Sequence, residues 1–347
     1  QDAFAYPQRT AAYCAEIAKH PDWDALLDRI DRAPNYSTAA IAADPPMSST
    51  IDALQMARSI ARVEAARCRA DSLAGKRDDA VRRALRLWRI AAKIQENEAI
   101  LLALLISNAI KGVAHAEINV ALRSGPIDVA VRKQIDYTLA QQEESKALAR
   151  ALAGEMAFFP DNARAIPGLP GFLQAWPLSA IMKNDVACGM RILHEAIERS
   201  GENKVEFARF SLRAFDEVHR SARWRRLATG MLLPAYDMIH TSSRRVMTSA
   251  RCVRILSALQ AGGDMSLPFE KLGLPAGVLL DPFDGLPLRR KESPDGILIY
   301  SVDQNLKDDG GEHGRHEDWG SFPVLKPPAS PAADNPAPKG AVPAVRK

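Results

Sequence analysis

Acidic and amide side chains crowd a short segment near the end of the chain. Ca²⁺ takes about six to eight oxygen ligands from carboxylates, amides and backbone carbonyls on a flexible loop, and glycines such as Gly310 and Gly311 let a backbone fold around an ion. The order of an EF-hand does not occur here. The segment is therefore a candidate calcium loop, with a solvated acidic turn as the alternative. Its oxygen-bearing side chains are Asp303, Asn305, Asp308, Asp309, Glu312, Glu317 and Asp318.

The residues around this loop follow an order that resembles the C-terminal module of the major pseudopilin of type II secretion. The matching residues are Asp281-Pro282-Phe283, Gly285, Pro287, Tyr300-Ser301, Gly310-Gly311-Glu312 and Trp319. The match covers about forty of the 347 residues. In that family the loop binds one calcium ion through a backbone carbonyl and acidic side chains.

The resemblance implies a set of calcium ligands for this chain. Asn305 stands where the family has Asp, and Leu306 stands where it has Gly, so the loop carries one charge fewer and a stiffer turn. A calcium site weaker than the family's is expected. By position its ligands are the backbone carbonyl of Val302 and the side chains of Asn305 and Glu312, with Asp308 or Asp309 as further ligands.

Residues 83–159 resemble a family of uncharacterised cell-envelope proteins of environmental bacteria. The shared order is a helix, "LIS" at 105–107, a helix, Gly125-Pro126, a helix and "GE.A" at 154–157. Such proteins tend to carry an N-terminal membrane helix and the ending "LDPF.G.PL", which here occupies residues 280–288. The resemblance implies a protein that faces the periplasm or exterior and is anchored in the membrane by a segment before Gln1.

Other residue pairs and clusters fit known catalytic or metal-binding patterns less well. His194 and Glu198 lie one helical turn apart, but a zinc protease motif needs a second His in the last position. His313 and His316 lie beside carboxylates and are a candidate zinc-binding pair, but no cysteines stand at a matching spacing to complete the ligand set. The enzymatic alternative is a hydrolase whose scattered carboxylates meet between helices. Its candidates are Glu96, Glu98, Glu117 and Glu155.

The charge balance does not demand a nucleic acid or an anionic membrane as partner, because the net charge is only +4. The run "RWRR" at 223–226, with Arg244 and Arg245, makes a basic helical face, and weak nucleic-acid binding through Arg223, Arg225 and Arg226 is a further alternative. Pairing of these arginines with acids such as Asp216 and Glu217 is the favoured interpretation.

The four cysteines form no CxxC pair. They make two disulfides or none, and four buried unpaired thiols are favoured. The cysteines are Cys14, Cys68, Cys188 and Cys252.

Residues 9 to about 262 predict long helices. The segment 78–123 reads as one very long helix or as two helices stacked end to end, with Leu101, Leu104, Leu105 and Ile106 in the core. Gly125-Pro126 breaks the pattern, and the prolines of 159–177 predict a loop. The other predicted helices are 9–20, 22–33, 51–75 with a cap at Ser49 or Thr50, 127–158, 178–200, 202–230 and 235–262.

The composition changes after Gly263. "GILIYSV" at 296–302 predicts a strand, "PLRRKE" at 287–292 its antiparallel partner, and "SPDG" the turn between them. The Pro/Ala-rich residues 323–347 predict disorder.

These patterns together predict a mainly α protein of antiparallel helical hairpins with a small C-terminal β-hairpin. The expected divisions are a helical body (1–263), a pseudopilin-like module with the acidic loop (264–322) and a disordered tail (323–347). The expected function is that of a non-enzymatic envelope scaffold, which binds a protein partner through its helices and Ca²⁺ through its module. We expect no nucleic acid as partner.

Overall fold

The computed structural model describes residues 20, 22–33, 47–143, 146–164, 178–220, 227–293, 296–312 and 318–321. Residues 9–19 of the first predicted helix with Cys14, the run 223–226, residues 313–317 and the tail 323–347 lie outside these residues. The described part is mainly helical, with a small antiparallel sheet near its end, as predicted. The helices are α1 (Asp22–Arg32), α2 (Met47–Leu73), α3 (Arg77–Asn97), α4 (Leu101–Arg123), α5 (Val129–Glu143), α6 (Ala147–Arg164), α7 (Leu178–Glu198), α8 (Lys204–Arg220) and α9 (Leu227–Gly262).

The α3–α4 pair is a hairpin, so neither a single long helix nor end-to-end stacking is correct. The chain becomes extended at Glu98 and again at Ile100, which turns α4 back along α3. Ser107 Oγ then donates to the Ala91 carbonyl (2.5 Å), and Gln95 donates to Asn108 (2.8 Å). Because α4 is packed against α2, α3, α6 and α9, it can be apolar on nearly every side.

Four other boundaries differ from the predictions. Residues 159–164 belong to α6, although they include a proline and were predicted as loop. A single helix, α9, continues through Pro234, where a break was predicted. The pattern at 127–158 divides into α5 and α6, and α2 begins at Met47, before the predicted caps.

Two apolar cores hold the helices together. The first core joins α2, α3, α4, α5 and the C-terminal half of α9. The second core joins the start of α4 with α6, α7, α8 and the N-terminal half of α9. Leu101, Leu104 and Ile106 are buried as predicted, whereas Leu105 is only partly buried at the edge of the second core. The three described cysteines, Cys68, Cys188 and Cys252, are buried and form no disulfide with one another.

The close approach of α6 to the α3–α4 turn explains the "GE" pair at 154–155. A Cβ on Gly154 would lie 1.5 Å from the Ala99 carbonyl oxygen, so only glycine fits. The next residue, Glu155, accepts a hydrogen bond from the Leu101 N–H (3.1 Å) at the N-terminus of α4, where backbone donors lack helical partners. Both residues therefore position helices.

The C-terminal module shares the first core. Its strands β1 (Arg289–Ser293), β2 (Gly296–Ser301) and β3 (Trp319–Ser321) form an antiparallel sheet in the order β1-β2-β3. The predicted hairpin is confirmed, in the register Arg289 to Tyr300 and Ser293 to Gly296; β3 was not predicted. The apolar residues Phe269, Val278, Leu288, Ile297 and Ile299 join the core of the helices, so residue 263 marks a change of secondary structure within a continuous core.

Candidate calcium loop and apolar groove

The motif residues of the module meet at a buried carboxylate, Asp281. It accepts hydrogen bonds from the backbone N–H of Phe283 (2.8 Å), the hydroxyl of Ser301 (2.7 Å) and the backbone N–H of Val302 (3.1 Å). The Arg289 guanidinium lies 2.6 Å away. Burial raises the pKa of Asp281, and the hydrogen bonds from Phe283 and Ser301 oppose that rise. Asp281 thus joins the start of the module to the end of β2.

The same "DPF" turn also caps a helix of the second core. The carbonyls of Pro282 and Phe283 accept hydrogen bonds from the first N–H groups of α8, at Lys204 and Val205 (3.2 Å each). Those donors have no partner within their own helix. The motif therefore links the module to α8 as well as to β2.

A bidentate ion pair between Arg245 of α9 and Asp303 attaches the first turn after β2 to α9. Arg245 Nε lies 2.9 Å from Asp303 Oδ1, and its Nη2 lies 2.5 Å from Oδ2 of the buried Asp303. The same guanidinium stacks over Trp319, 4.9 Å from the ring centroid, and Trp319 donates to Ser249 of α9 (3.1 Å). The predicted pairing of Arg245 with acids near residue 216 is wrong, because this arginine holds the acidic loop.

The predicted calcium ligands lie together in the loop, and hydrogen bonds within the loop engage several of their atoms. Val302 is buried and donates its N–H to Asp281. Asn305 donates to Asp309 (2.6 Å) and accepts from the Lys307 N–H (2.9 Å). Leu306 adopts a left-handed backbone conformation with φ of 57°, which a glycine would adopt without strain.

The other half of the loop closes on Asp308. Its Oδ1 accepts hydrogen bonds from the hydroxyl of Tyr300 (3.0 Å) and from the N–H of Gly310 (2.9 Å). Burial and the neighbouring Asp308 charge raise the pKa of Tyr300 to about 12. Glu312 is exposed. The loop is thus folded by its own hydrogen bonds.

Asp318 is one of the loop acids that the sequence reasoning left out of the ligand set. Its Oδ2 accepts from the Gly311 N–H (2.6 Å), while its buried Oδ1 has no hydrogen-bond partner among the described residues. Burial raises the pKa of Asp318, and the charges of Asp308 and Asp309 raise it further. Its position directly before the motif Trp319 was the only available signal. Among the described residues, no three His, Cys, Asp or Glu side chains are arranged as a metal-binding group.

Three of the four carboxylates of the enzymatic alternative, Glu98, Glu117 and Glu155, do not share a site. Glu155 caps α4, and Glu98 lies at the edge of an apolar groove. Glu117 is buried in α4, about 24 Å along the helix from Leu101, and accepts two hydrogen bonds from Arg69 (2.9 Å each). Each of these three carboxylates therefore has a separate structural position.

The histidine and arginine candidates have structural contacts where they are described. His194 and Glu198 form an exposed pair 3.5 Å apart. Arg244 is buried, and donates to the Ser200 carbonyl (2.5 Å) and to His240 (3.3 Å). His313 and His316, with Arg223, Arg225 and Arg226, lie outside the described residues.

An open apolar groove of about 990 Å³ lies between α1, α2 and α3. Leu26 on one wall and Met56 on the other are 45% and 66% exposed, although both are large and apolar. A second concavity of about 580 Å³ continues along α1 to His20. The groove is lined chiefly by Leu26, Leu27 and Ile30 of α1, Leu54, Met56, Ala57 and Ile60 of α2, Leu87, Ile90 and Ile94 of α3, and Ile110 of α4.

Ion pairs hold α1 against α2 and α3. Asp24 pairs with Arg67 (2.7 Å), Arg83 (2.7 Å) and Arg86 (2.9 Å), and the fully buried Glu64 pairs with Arg67 and Arg86 (2.8 Å each). Burial alone would raise the pKa of Asp24, but the hydrogen bonds from the three arginines outweigh it and hold the pKa well below its usual range.

Two residues of α3 hold the C-terminal end of α1. Arg89 pairs with Asp31 (2.5 Å), and Lys93 donates to the backbone carbonyls of Ile30, Asp31 and Ala33. A cation at a helix C-terminus satisfies carbonyls that lack helical partners. Leu27 is the only residue of α1 that is fully buried in the described part of the chain.

Comparison of the chain with protein-family models, with curated proteins and with solved structures found no match. The pseudopilin and envelope-protein resemblances thus rest on the quoted residues. One described helix, α4, is long and apolar enough to cross a membrane, and 67% of its most apolar window is buried within the protein.

Proposed function

We propose that this protein is a non-enzymatic scaffold of the bacterial cell envelope, whose helical body binds an apolar segment of a partner protein. The observation that carries the proposal is the open apolar groove between α1, α2 and α3. Helix-binding grooves receive the apolar face of an amphipathic helix in this way, through side chains at helical spacing. Exposed apolar surface of this kind marks interaction sites on proteins.

The composition of the groove favours a partner over a reaction. Its walls are almost entirely aliphatic, and of the charged residues at its edge Asp28 pairs with Arg86 and with Arg32. Active sites instead bring several polar groups to one point. An aliphatic segment would bury Leu26 and Met56, whose exposure to water is otherwise unfavourable.

Site-specific photo-cross-linking in native membranes tests this function. A photoreactive residue replaces Met56 in the groove and, as a matched control, Met238 on α9, which is 56% exposed. We expect a discrete adduct with one partner from position 56 only. Identical adducts from both positions, or none from position 56, would contradict the proposal.

The proposal includes a calcium ion in the acidic loop. The unpartnered, buried Oδ1 of Asp318 and the nearby charges of Asp308 and Asp309 support it, since a cation would relieve both. The ligands are those implied by the resemblance, Val302, Asn305, Asp308, Asp309 and Glu312, with Asp318 added. Calcium at millimolar levels outside the cytoplasm suits such a weak site and the proposed compartment.

Calorimetry with CaCl₂ tests the loop. We expect binding at or below millimolar concentration, abolished by Glu312→Ala, strengthened by Asn305→Asp and unchanged by the control Glu292→Ala in the exposed strand β1. Absence of heat at millimolar calcium would show that the loop is a solvated acidic turn. Cell fractionation is a separate test of the proposed compartment: recovery of the full-length protein in the cytosol would contradict it.

A further inference from the structure

A buried lysine lies at the centre of the bundle, and no carboxylate among the described side chains forms an ion pair with it. Lys111 of α4 is 1% exposed, and its ammonium nitrogen donates to two neutral acceptors, Gln95 Oε1 of α3 and Gln142 Oε1 of α5 (2.8 Å to the latter). The Trp88 ring centroid lies 5.7 Å from the nitrogen. Buried ammonium groups normally have a carboxylate partner, because burying an isolated charge is costly.

A second buried base lies one turn further along the same face of α4. His115 is buried, and its Nε2 has no hydrogen-bond partner among the described residues. Burial lowers the pKa of His115 to about 4 and that of Lys111 to about 7, while the charge of Glu96 partly opposes the shift of Lys111. Two basic groups thus occupy the core in surroundings that favour their neutral forms.

Two arginines on the surrounding helices form ion pairs with carboxylates of α4 and α5. Arg69 of α2 pairs with Glu117 (2.9 Å), and Arg254 of α9 pairs with Asp136 of α5 (2.7 Å). Glu96 on α3 acts on Lys111 only through its charge. The other polar contacts in this layer are neutral and join α3, α4 and α9 through Gln95, Asn108 and the hydroxyl of Ser242.

The apolar groove and the layer of buried polar groups are built from consecutive residues of α3 and α4. Ile110, which precedes Lys111, and Ile94, which precedes Gln95, both line the groove. We infer that Lys111 and His115 form a proton-sensitive node, whose protonation loosens the α3–α4–α5 contacts that support the groove floor. This inference rests on the proposed function only for its effect on partner binding.

Proton linkage gives the direction of the effect. Between about pH 7 and 10.5 the unfolded chain holds a proton on Lys111 that the folded chain lacks, so stability rises with pH there. Between about pH 4 and 6.5 His115 acts in the same direction. One proton corresponds to about a tenfold change in the unfolding equilibrium constant per pH unit.

Denaturant unfolding of the full chain from pH 5 to 10 tests the node. We expect the tenfold-per-unit dependence between about pH 7.5 and 8.5 to disappear in Lys111→Met and to persist in Lys133→Met, a matched change at an exposed position on α5. Above about pH 9 the raised pKa of the buried Cys68 thiol opposes this dependence. Retention of the full dependence in Lys111→Met would overturn the inference. If that variant does not fold, an NMR titration of ¹³Cε-labelled lysines in the wild-type chain decides, because Lys111 must then titrate near pH 7. Titration near 10.5 would overturn the node.

The link to the groove has its own readout, which needs no partner. An environment-sensitive fluorophore on Met56→Cys should shift its emission with the midpoint of Lys111, and the same fluorophore on Met238→Cys should not. If Lys111 titrates near 7 but the Met56→Cys probe is unmoved, the node controls stability alone and the groove link is wrong. If the probe moves but no partner cross-links at position 56, the node stands and the proposed function fails.

Discussion

The two edges of the molecule are attached to the central helices in opposite ways. At one edge, α1 buries a single side chain fully, Leu27, and is otherwise held by arginine–carboxylate pairs and by Lys93. At the other, the C-terminal module contributes apolar side chains such as Ile297 and Ile299 to the first core. The module adds polar contacts with the helices to that apolar contact, through Asp303 to Arg245 of α9 and through the Pro282 and Phe283 carbonyls to α8.

This difference indicates which edge can open. Ion pairs with partly exposed members are screened by salt and contribute little each, so α1 can separate while the core remains folded. The module cannot separate without exposing the first core. The opening edge is also a wall of the apolar groove, which is the arrangement a scaffold needs in order to admit a partner helix.

The largest expected effect is at the fixed edge. Asp281→Ala removes the acceptor shared by Phe283, Ser301 and Val302 and leaves three buried donors unsatisfied, while Arg289 keeps its second carboxylate partner, Asp284. We expect a loss of about 3–5 kcal/mol in the free energy of unfolding, because each unsatisfied buried donor costs about 1–3 kcal/mol, in a single transition that includes the helices. Glu292→Ala, on the exposed side of β1, serves as the control. A loss confined to the module, with the helices unchanged, would show that the shared core does not couple them.

A smaller and local effect is expected at the opening edge. Asp24→Asn removes the carboxylate that three arginines share, but Glu64 stays in place and the side chain of Asp24 is 44% exposed. We expect a change on the order of 1 kcal/mol, seen as faster hydrogen exchange in residues 22–33. Asp22→Asn in the same helical turn is the matched control. Faster exchange throughout the first core would indicate that α1 is an integral part of that core.

The pKa values of Asp24 and Asp281 are shifted in opposite directions, so lowering the pH affects the stability of the two edges differently. The pKa of Asp24 is lowered in the folded protein, so its contribution is present above about pH 4 and is lost as the pH falls towards the lowered folded value. The pKa of Asp281 is raised, so acid does not weaken the module through this group. Exchange followed from pH 5 downwards should show α1 opening first. Earlier opening of residues 281–301 would contradict this order.

The smallest expected effect concerns the strain in the calcium loop. Leu306→Gly removes the cost of the left-handed conformation, roughly 1 kcal/mol, and gives back part of it through the greater entropy of the unfolded chain. We expect a gain below about 1 kcal/mol, measured by denaturant unfolding without calcium. A loss would show that the half-exposed Leu306 side chain contributes more through packing than its backbone costs.

The sequence predicted the elements better than their contacts. The helical periodicity and the "GILIYSV" strand were sufficient for fold class and hairpin register, because both depend on local patterns. The α3–α4 turn at Glu98–Ile100 was missed because it contains neither Gly nor Pro. The groove could not be predicted, because it depends on arginines of α2 and α3 that reach across to α1. The orphaned oxygen of Asp318 likewise appears only when Gly311 is brought beside it.

Hydrogen exchange on the intact chain tests the central claim, that one edge opens while the other stays closed. We predict that residues 22–33 exchange through local opening, at a free energy well below that of global unfolding and lowered further by added salt. Residues 281–302 should exchange only with global unfolding, at the same free energy as the centre of α4. Equal protection of the two segments, or faster exchange in the module, would contradict the account.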